Sequence, residues 1–301
     1  MNRNQQAGSV GASVALLERG ARTEATRLYT APIHLLDLKP EPDGRAISCD
    51  GITIGGHSLM LTAGLCRNTP ISMLDKILDS VTSAGFQALH AGCFVPNPPA
   101  HNDPGIDAGM LAILGRTCKE RGLALIIEII SPEDIELAGR YATILQIGAR
   151  NMQNYPLLHA AGTSDKPVLL KRGTMSTLAE LCSAADYIRS RGNQRVILCE
   201  RGIRTFEVSA GDTFDISAIP ALRELTQLPV IADPCHGSGE WTHVGSMCKA
   251  AVAAGADGLI VNICPATAQG RVDQKPTVPA ENLQHLVIQL RAIADAVGRE
   301  L

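Results

Sequence analysis

The chain has 301 residues, 45% of them apolar and 19% charged, with a net charge of −3. With no block of like charge and only 3% aromatics, it is not built for nucleic acid or an anionic membrane as partner. No apolar run approaches the roughly 20 residues needed to span a bilayer, and nine irregularly spaced cysteines make no disulfide framework, so a cytoplasmic protein with reduced thiols is expected.

Residues 1–27 are polar and rich in Gly and Ala, and read as a flexible leader; residues 28–301 read as one catalytic domain. Short β-like pieces with Pro and Gly turns follow, including Ala46–Cys49 and Gly51–Gly56. They predict a β-hairpin that closes the bottom of the domain. Strands are then predicted at Leu59–Ala63, Ala88–Ala91, Leu123–Glu128, Thr143–Ile147, from Val168, from Val196, from Val230 and from Gly258. Helices are predicted between them, at 72–84, 106–121, 132–139, 155–161, 176–190, 216–226 and 244–254. A closing helix over 280–297 carries Leu283, Leu286, Val287, Leu290, Ile293 and Val297 as its buried stripe. Eight short strands separated mostly by helices predict an α/β fold, a (β/α)8 TIM barrel with a short N-terminal β-hairpin. The rival, a doubly wound sheet, needs a Gly-rich turn after its first strand, and Ala63-Gly-Leu-Cys-Arg67 is not one.

Several apolar runs end abruptly in a charged or polar group. Val168-Leu-Leu170 meets Lys171, and Val196–Cys199 meets Glu200 and Arg201. Ile144–Ile147 includes Gln146 and is followed by Arg150, Val230–Ala232 meets Asp233, and Leu123–Ile127 meets Glu128. In a barrel these ends share one face, so Arg150, Lys171 and Arg201 converge. Three buried cations are costly without an anion to offset them, and a phosphate with a carboxylate suits such a cluster. The candidate substrate-binding set is Arg150, Lys171, Arg201, Gln146 and Asp233. Candidate catalytic residues are Lys171, Glu128 and His236. Arg172 and Arg204 read as structural residues or subunit contacts.

A second cluster mixes thiolate, imidazole and carboxylate. Cys66 follows the first strand, His236 the seventh, and Asp273 lies beyond the eighth. Asn262 and Cys264 lie two apart and face the same way if the eighth strand continues through them. The mix suits a divalent metal such as Mn, Zn or Fe.

The stretches Gln146-Ile-Gly-Ala-Arg-Asn-Met-Gln-Asn154, Lys166-Pro-Val-Leu-Leu-Lys-Arg-Gly173, Ile197–Phe206 and Asp215-Ile-Ser-Ala218 resemble the type I-beta 3-deoxy-arabino-heptulosonate 7-phosphate (DAHP) synthases. The related 3-deoxy-octulosonate 8-phosphate synthases share the barrel. The resemblance implies metal-assisted condensation of phosphoenolpyruvate with an aldehyde and release of phosphate, by a homodimer or homotetramer. By position, Arg150, Lys171 and Arg201 match that family's phosphoenolpyruvate contacts. Cys66, His236 and Asp273 match three of its four metal ligands, and the fourth, a Glu, is Asn262 here. The family's Lys-Pro-Arg-Thr-Ser loop is Val95-Pro-Asn-Pro-Pro99 here, which removes two cations from the acceptor side. An acceptor other than erythrose 4-phosphate is therefore expected, with His90, His101 and Asp103 as neighbours of the altered loop. The other readings are an unaltered DAHP synthase, a Schiff-base aldolase using Lys171, and a non-catalytic phosphoenolpyruvate-binding barrel.

Overall fold

The computed structural model describes residues 46–66, 69–92, 106–207, 211–264, 271–272 and 275–301. The leader and the pieces before residue 46 lie outside the described residues. Two strands, β1 (Ile47–Cys49) and β2 (Ile52–Ile54), pair antiparallel across Asp50 and Gly51. Both turn residues have positive φ, +42° and +84°. That is the two-residue hairpin turn whose twist matches its strands, and it explains an Asp-Gly pair at this point.

Eight parallel strands follow: β3 (Met60–Leu65), β4 (Ala88–Ala91), β5 (Ala124–Ile129), β6 (Ile144–Ile147), β7 (Val168–Lys171), β8 (Val196–Glu200), β9 (Val230–Ala232) and β10 (Gly258–Cys264). Each pairs with the next, and β10 pairs with both β9 and β3, so the sheet closes into a TIM barrel. Helices α1 (Ile71–Ser83), α2 (Ala108–Glu120), α3 (Asp134–Gly139), α4 (Tyr155–Gly162), α5 (Leu178–Arg189) and α6 (Ala218–Leu225) fill the crossovers up to β9. A short α7 (Pro234–Gly237) and α8 (Trp241–Ala253) precede β10, and α9 (Leu283–Ala296) ends the chain.

Alternation along the strands sorts the side chains. Met60, Ala88, Ala124, Ile126, Ile144, Leu169, Ile197, Cys199, Ile231 and Ile260 form one buried cluster inside the barrel, and Ile47, Ile52 and Ile54 of the hairpin belong to it. The hairpin thus plugs the N-terminal end, each buried isoleucine contributing about 1.5–3 kcal/mol. The same inward parity, carried toward the C-terminal end, places Cys66, Glu128, Gln146, Lys171, Arg201, Asp233, Asn262 and Cys264 toward the mouth. The lower barrel is apolar and the mouth polar because the strand sequences change character along their length.

Local signals set the helix starts. Asp107 caps α2 by accepting from Met110 N at 3.0 Å. Thr177 and Glu180 form a reciprocal capping box at α5. Two expectations shift. Strand β3 runs past Ala63 to Leu65, because the ladder pairs Gly64 with Asn262 and Leu65 with Ile263 by backbone bonds that ignore side-chain polarity. The closing stripe ends early: Ile293 is half-buried and Val297, just past the end of α9, is 43% exposed. Ala294, four residues after Leu290 and so on the same helical face, takes the buried position instead.

Candidate active site

Lys171 ends β7 and is buried. Its Nζ donates to Asp233 Oδ2 at 2.6 Å. His236, in the turn of α7, meets the same oxygen through Nδ1 at 2.7 Å. A carboxylate only accepts, so Nδ1 carries the proton and Nε2 keeps the lone pair. Burial opposes ionisation of Asp233, but His236 and the Lys171 ammonium outweigh it and hold the carboxyl well below its usual range. Burial also opposes the Lys171 charge, yet Asp233, with Cys199 and Glu128 behind it, leaves the ammonium above its ordinary value. Burial pushes the His236 imidazole down to about 4, so it is neutral at physiological pH. Carboxylates rather than the neighbouring cations set the Lys171 charge, because Asp233 sits closest.

Arg201 is 8% exposed and is ion-paired with Asp212 in the loop after β8. From the sequence, a bound anion is the expected offset for buried cations here. In the fold, Asp233 and Asp212 already supply that offset for Lys171 and Arg201. Arg150 follows β6 on a single 3-10 turn, Ala149–Asn151, and is exposed rather than buried. The three cations therefore divide into two buried and paired groups and one at the surface.

Glu128 and Gln146 are cross-strand partners on β5 and β6. The Glu128 carboxylate lies across Gly148, where an added Cβ would stand 2.2 Å from Oε1. Among the described residues, Gln146 Oε1 and Asp233 Oδ1 are buried without a hydrogen-bond partner. Such atoms are normally satisfied, and a polar substrate group at the mouth would satisfy them. Gly202, with φ +96°, lets the β8 loop approach α7: an added Cβ would stand 3.0 Å from Gly237 Cα. That contact sets the Arg201 loop beside the His236 turn.

Cys66 Sγ donates to Ile263 O at 3.0 Å, and Asn262 N donates to Cys235 Sγ at 3.1 Å. The Asn262 side chain covers Gly64, where an added Cβ would stand 2.1 Å from Oδ1. Cys264 is fully buried at the end of β10. Asp273, His101, Asp103 and the 95–99 loop lie outside the described residues. His236 has the orientation of a ligand, with one nitrogen bonded to a carboxylate and the other bearing a lone pair. Even so, among the described residues no three His, Cys, Asp or Glu side chains gather to hold a metal ion. The described donors alone thus do not fit a metal centre.

One partner escapes a reading of the sequence: Asp212 has no strand-end signal, since it lies 11 residues past Arg201 in a loop. Arg172, expected to be structural or a subunit contact, is ion-paired within the chain with Glu200 at the end of β8 and with Asp215 in the loop beyond. Among the described residues no helix is long and apolar enough to cross a membrane.

The family model described as the DAHP synthetase I family matches residues 97–297. Phospho-2-dehydro-3-deoxyheptonate aldolase of Thermotoga maritima is 36% identical over 267 residues, covering 89% of this chain and 79% of its own length. The crystal structure of that aldolase superposes with a TM-score of 0.80 at 35% identity, covering 88% of this chain and 80% of the other. A 2-dehydro-3-deoxyphosphooctonate aldolase of Syntrophotalea carbinolica is 27% identical over 266 residues, covering 82% of this chain and 94% of its own length. The chain belongs to the DAHP synthetase I family.

Proposed function

We propose that the chain condenses phosphoenolpyruvate with an aldehyde and releases phosphate. Supporting this are the family and one observation above all: Lys171 and Arg201 are buried and inward-facing at one barrel mouth, beside unsatisfied polar atoms of Gln146 and Asp233. Arg201 and the Lys171 ammonium hold the dianion, and Arg150 guides it from the surface. As C3 of the enol bonds to the carbonyl carbon, the carbonyl oxygen takes a proton from Lys171. The developing alkoxide is far more basic than any ammonium, so this transfer runs downhill even with the Lys171 pKa raised. Water adds at C2 and Glu128 accepts one of its protons; the C2–O bond to phosphate then breaks as the new hydroxyl becomes the ketone, and the hydroxyl proton leaves with the phosphate. Asp233 and His236 keep Lys171 in place.

The loop at 95–99, where the chain departs from the Lys-Pro-Arg-Thr-Ser pattern of the resembled family, bears on the acceptor. Val95-Pro-Asn-Pro-Pro99 offers no cation to a sugar phosphate, so the acceptor is an aldehyde other than erythrose 4-phosphate. Release of inorganic phosphate from phosphoenolpyruvate, measured across a panel of aldehydes that includes erythrose 4-phosphate, tests both parts. Fastest turnover with erythrose 4-phosphate makes the chain an ordinary DAHP synthase, and no turnover with any aldehyde removes the catalytic reading.

A further inference from the structure

Strand parity sends consecutive residues to opposite sides. At the end of β7, Lys171 faces the mouth and Arg172 faces outward; at the end of β8, Arg201 faces the mouth and Glu200 faces outward. The two outward residues are ion-paired: Arg172 Nη1 donates to Glu200 Oε2 at 2.8 Å, with the Glu200 side chain fully buried. The same Nη1 donates to Asp215 Oδ2 at 2.9 Å, and Arg172 Nε donates to Ser176 O at 2.9 Å. The other Glu200 oxygen accepts from Gly202 N at 2.6 Å. Asp215 is fixed in turn by Ser217 Oγ at 2.5 Å and Ala218 N at 3.2 Å. The residues on either side of Arg201, and the residue after Lys171, are thus bound into one network behind the sheet.

We propose that Arg172 is a positioning residue whose clamp on Glu200 and Asp215 fixes the spacing at which Lys171 and Arg201 meet the anion. This rests on reading those two cations as the phosphoenolpyruvate holders. The guanidinium suits the task because it is planar and always charged, and it reaches acceptors on three segments at once. A lysine ammonium is a point charge on a flexible stem and cannot hold the same fork. A barrel that needed only stability here would be served by apolar packing, since a buried ion pair is weak evidence for stability. Positional precision is another matter: a shift of about 1 Å in a reacting group costs on the order of 10²-fold.

The test is calorimetric titration of the full-length protein with phosphoenolpyruvate at 25 °C, paired with thermal melts. Wild type is compared with Arg172→Lys and with Asp215→Asn, whose carboxylate is partly solvent-exposed. Both variants should melt cooperatively and bind phosphoenolpyruvate about tenfold more weakly. A merely structural role would lower the melting temperature and leave the dissociation constant at 25 °C unchanged. That outcome in either folded variant overturns the clamp. If Arg172→Lys fails to fold, Asp215→Asn decides. Failure of the wild type itself to bind phosphoenolpyruvate overturns the reading of Lys171 and Arg201 and the clamp with it, whereas failure confined to the comparison of variants overturns the clamp alone.

Discussion

Lys171 and Asp233 lie 62 residues apart in sequence and 2.6 Å apart in space, both buried, and His236 completes a three-residue hub on the same carboxylate oxygen. The hub concentrates the proposed proton donor, its counter-charge and a neutral imidazole at the end of the barrel where the strands deliver polar groups. Substituting Lys171 with Met keeps the bulk of the stem and removes the ammonium. Phosphate release from phosphoenolpyruvate should fall by about 10²–10⁴-fold, the usual worth of a positioned acid or base. Near-normal turnover in a steady-state assay would remove Lys171 from the chemistry.

Asp233→Asn takes the counter-charge from a buried ammonium while keeping the shape. Breaking a buried pair on one side typically costs about 3–5 kcal/mol. Urea unfolding should show a loss of that order, and a change under about 1 kcal/mol would mean that solvent already relieves Lys171.

Gly148→Ala probes Glu128 without touching it. The added methyl would stand 2.2 Å from Oε1, so the carboxylate must swing away. The far end of a flexible side chain moves easily, and stability should change by only about 1 kcal/mol. Turnover should fall steeply, as Glu128 loses the water added at C2. An alanine variant with full activity would relieve Glu128 of that task.

Asn262→Asp changes one neutral oxygen on β10 into a charged one, beside Cys66 and across from Gly64. A carboxylate oxygen is a stronger donor to a hard divalent cation than the amide oxygen it replaces. Titration with Mn²⁺ should show binding tightened by about tenfold, equivalent to ~1.4 kcal/mol. Equal affinity in the two proteins would mean that Asn262 does not face the cation.

The hairpin plug can be tested by truncation. Ile54 is fully buried and packs with the inward residues of the barrel. Ile54→Ala should cost about 2–5 kcal/mol in chemical denaturation. A loss below about 1 kcal/mol would show that the barrel floor holds without the hairpin.

Much of this was legible in the residues. Apolar runs of four to six residues alternating with amphipathic stretches determine a parallel α/β sheet, because buried parallel strands are apolar on both faces, and the pairing of β10 with both β9 and β3 closes it. The period of two along each strand likewise determines which residue looks into the mouth, so Lys171, Arg201, Gln146 and Asp233 were identifiable as a set. What the linear order does not carry is pairing through space. Asp233 and Asp212 neutralise the two inner cations, Arg150 turns to the surface, and Arg172 joins Glu200 behind the sheet. Those outcomes depend on how loops from different strands fold over one another. A charge in the sequence has a sign and a position, but its nearest opposite charge exists only once the barrel has closed.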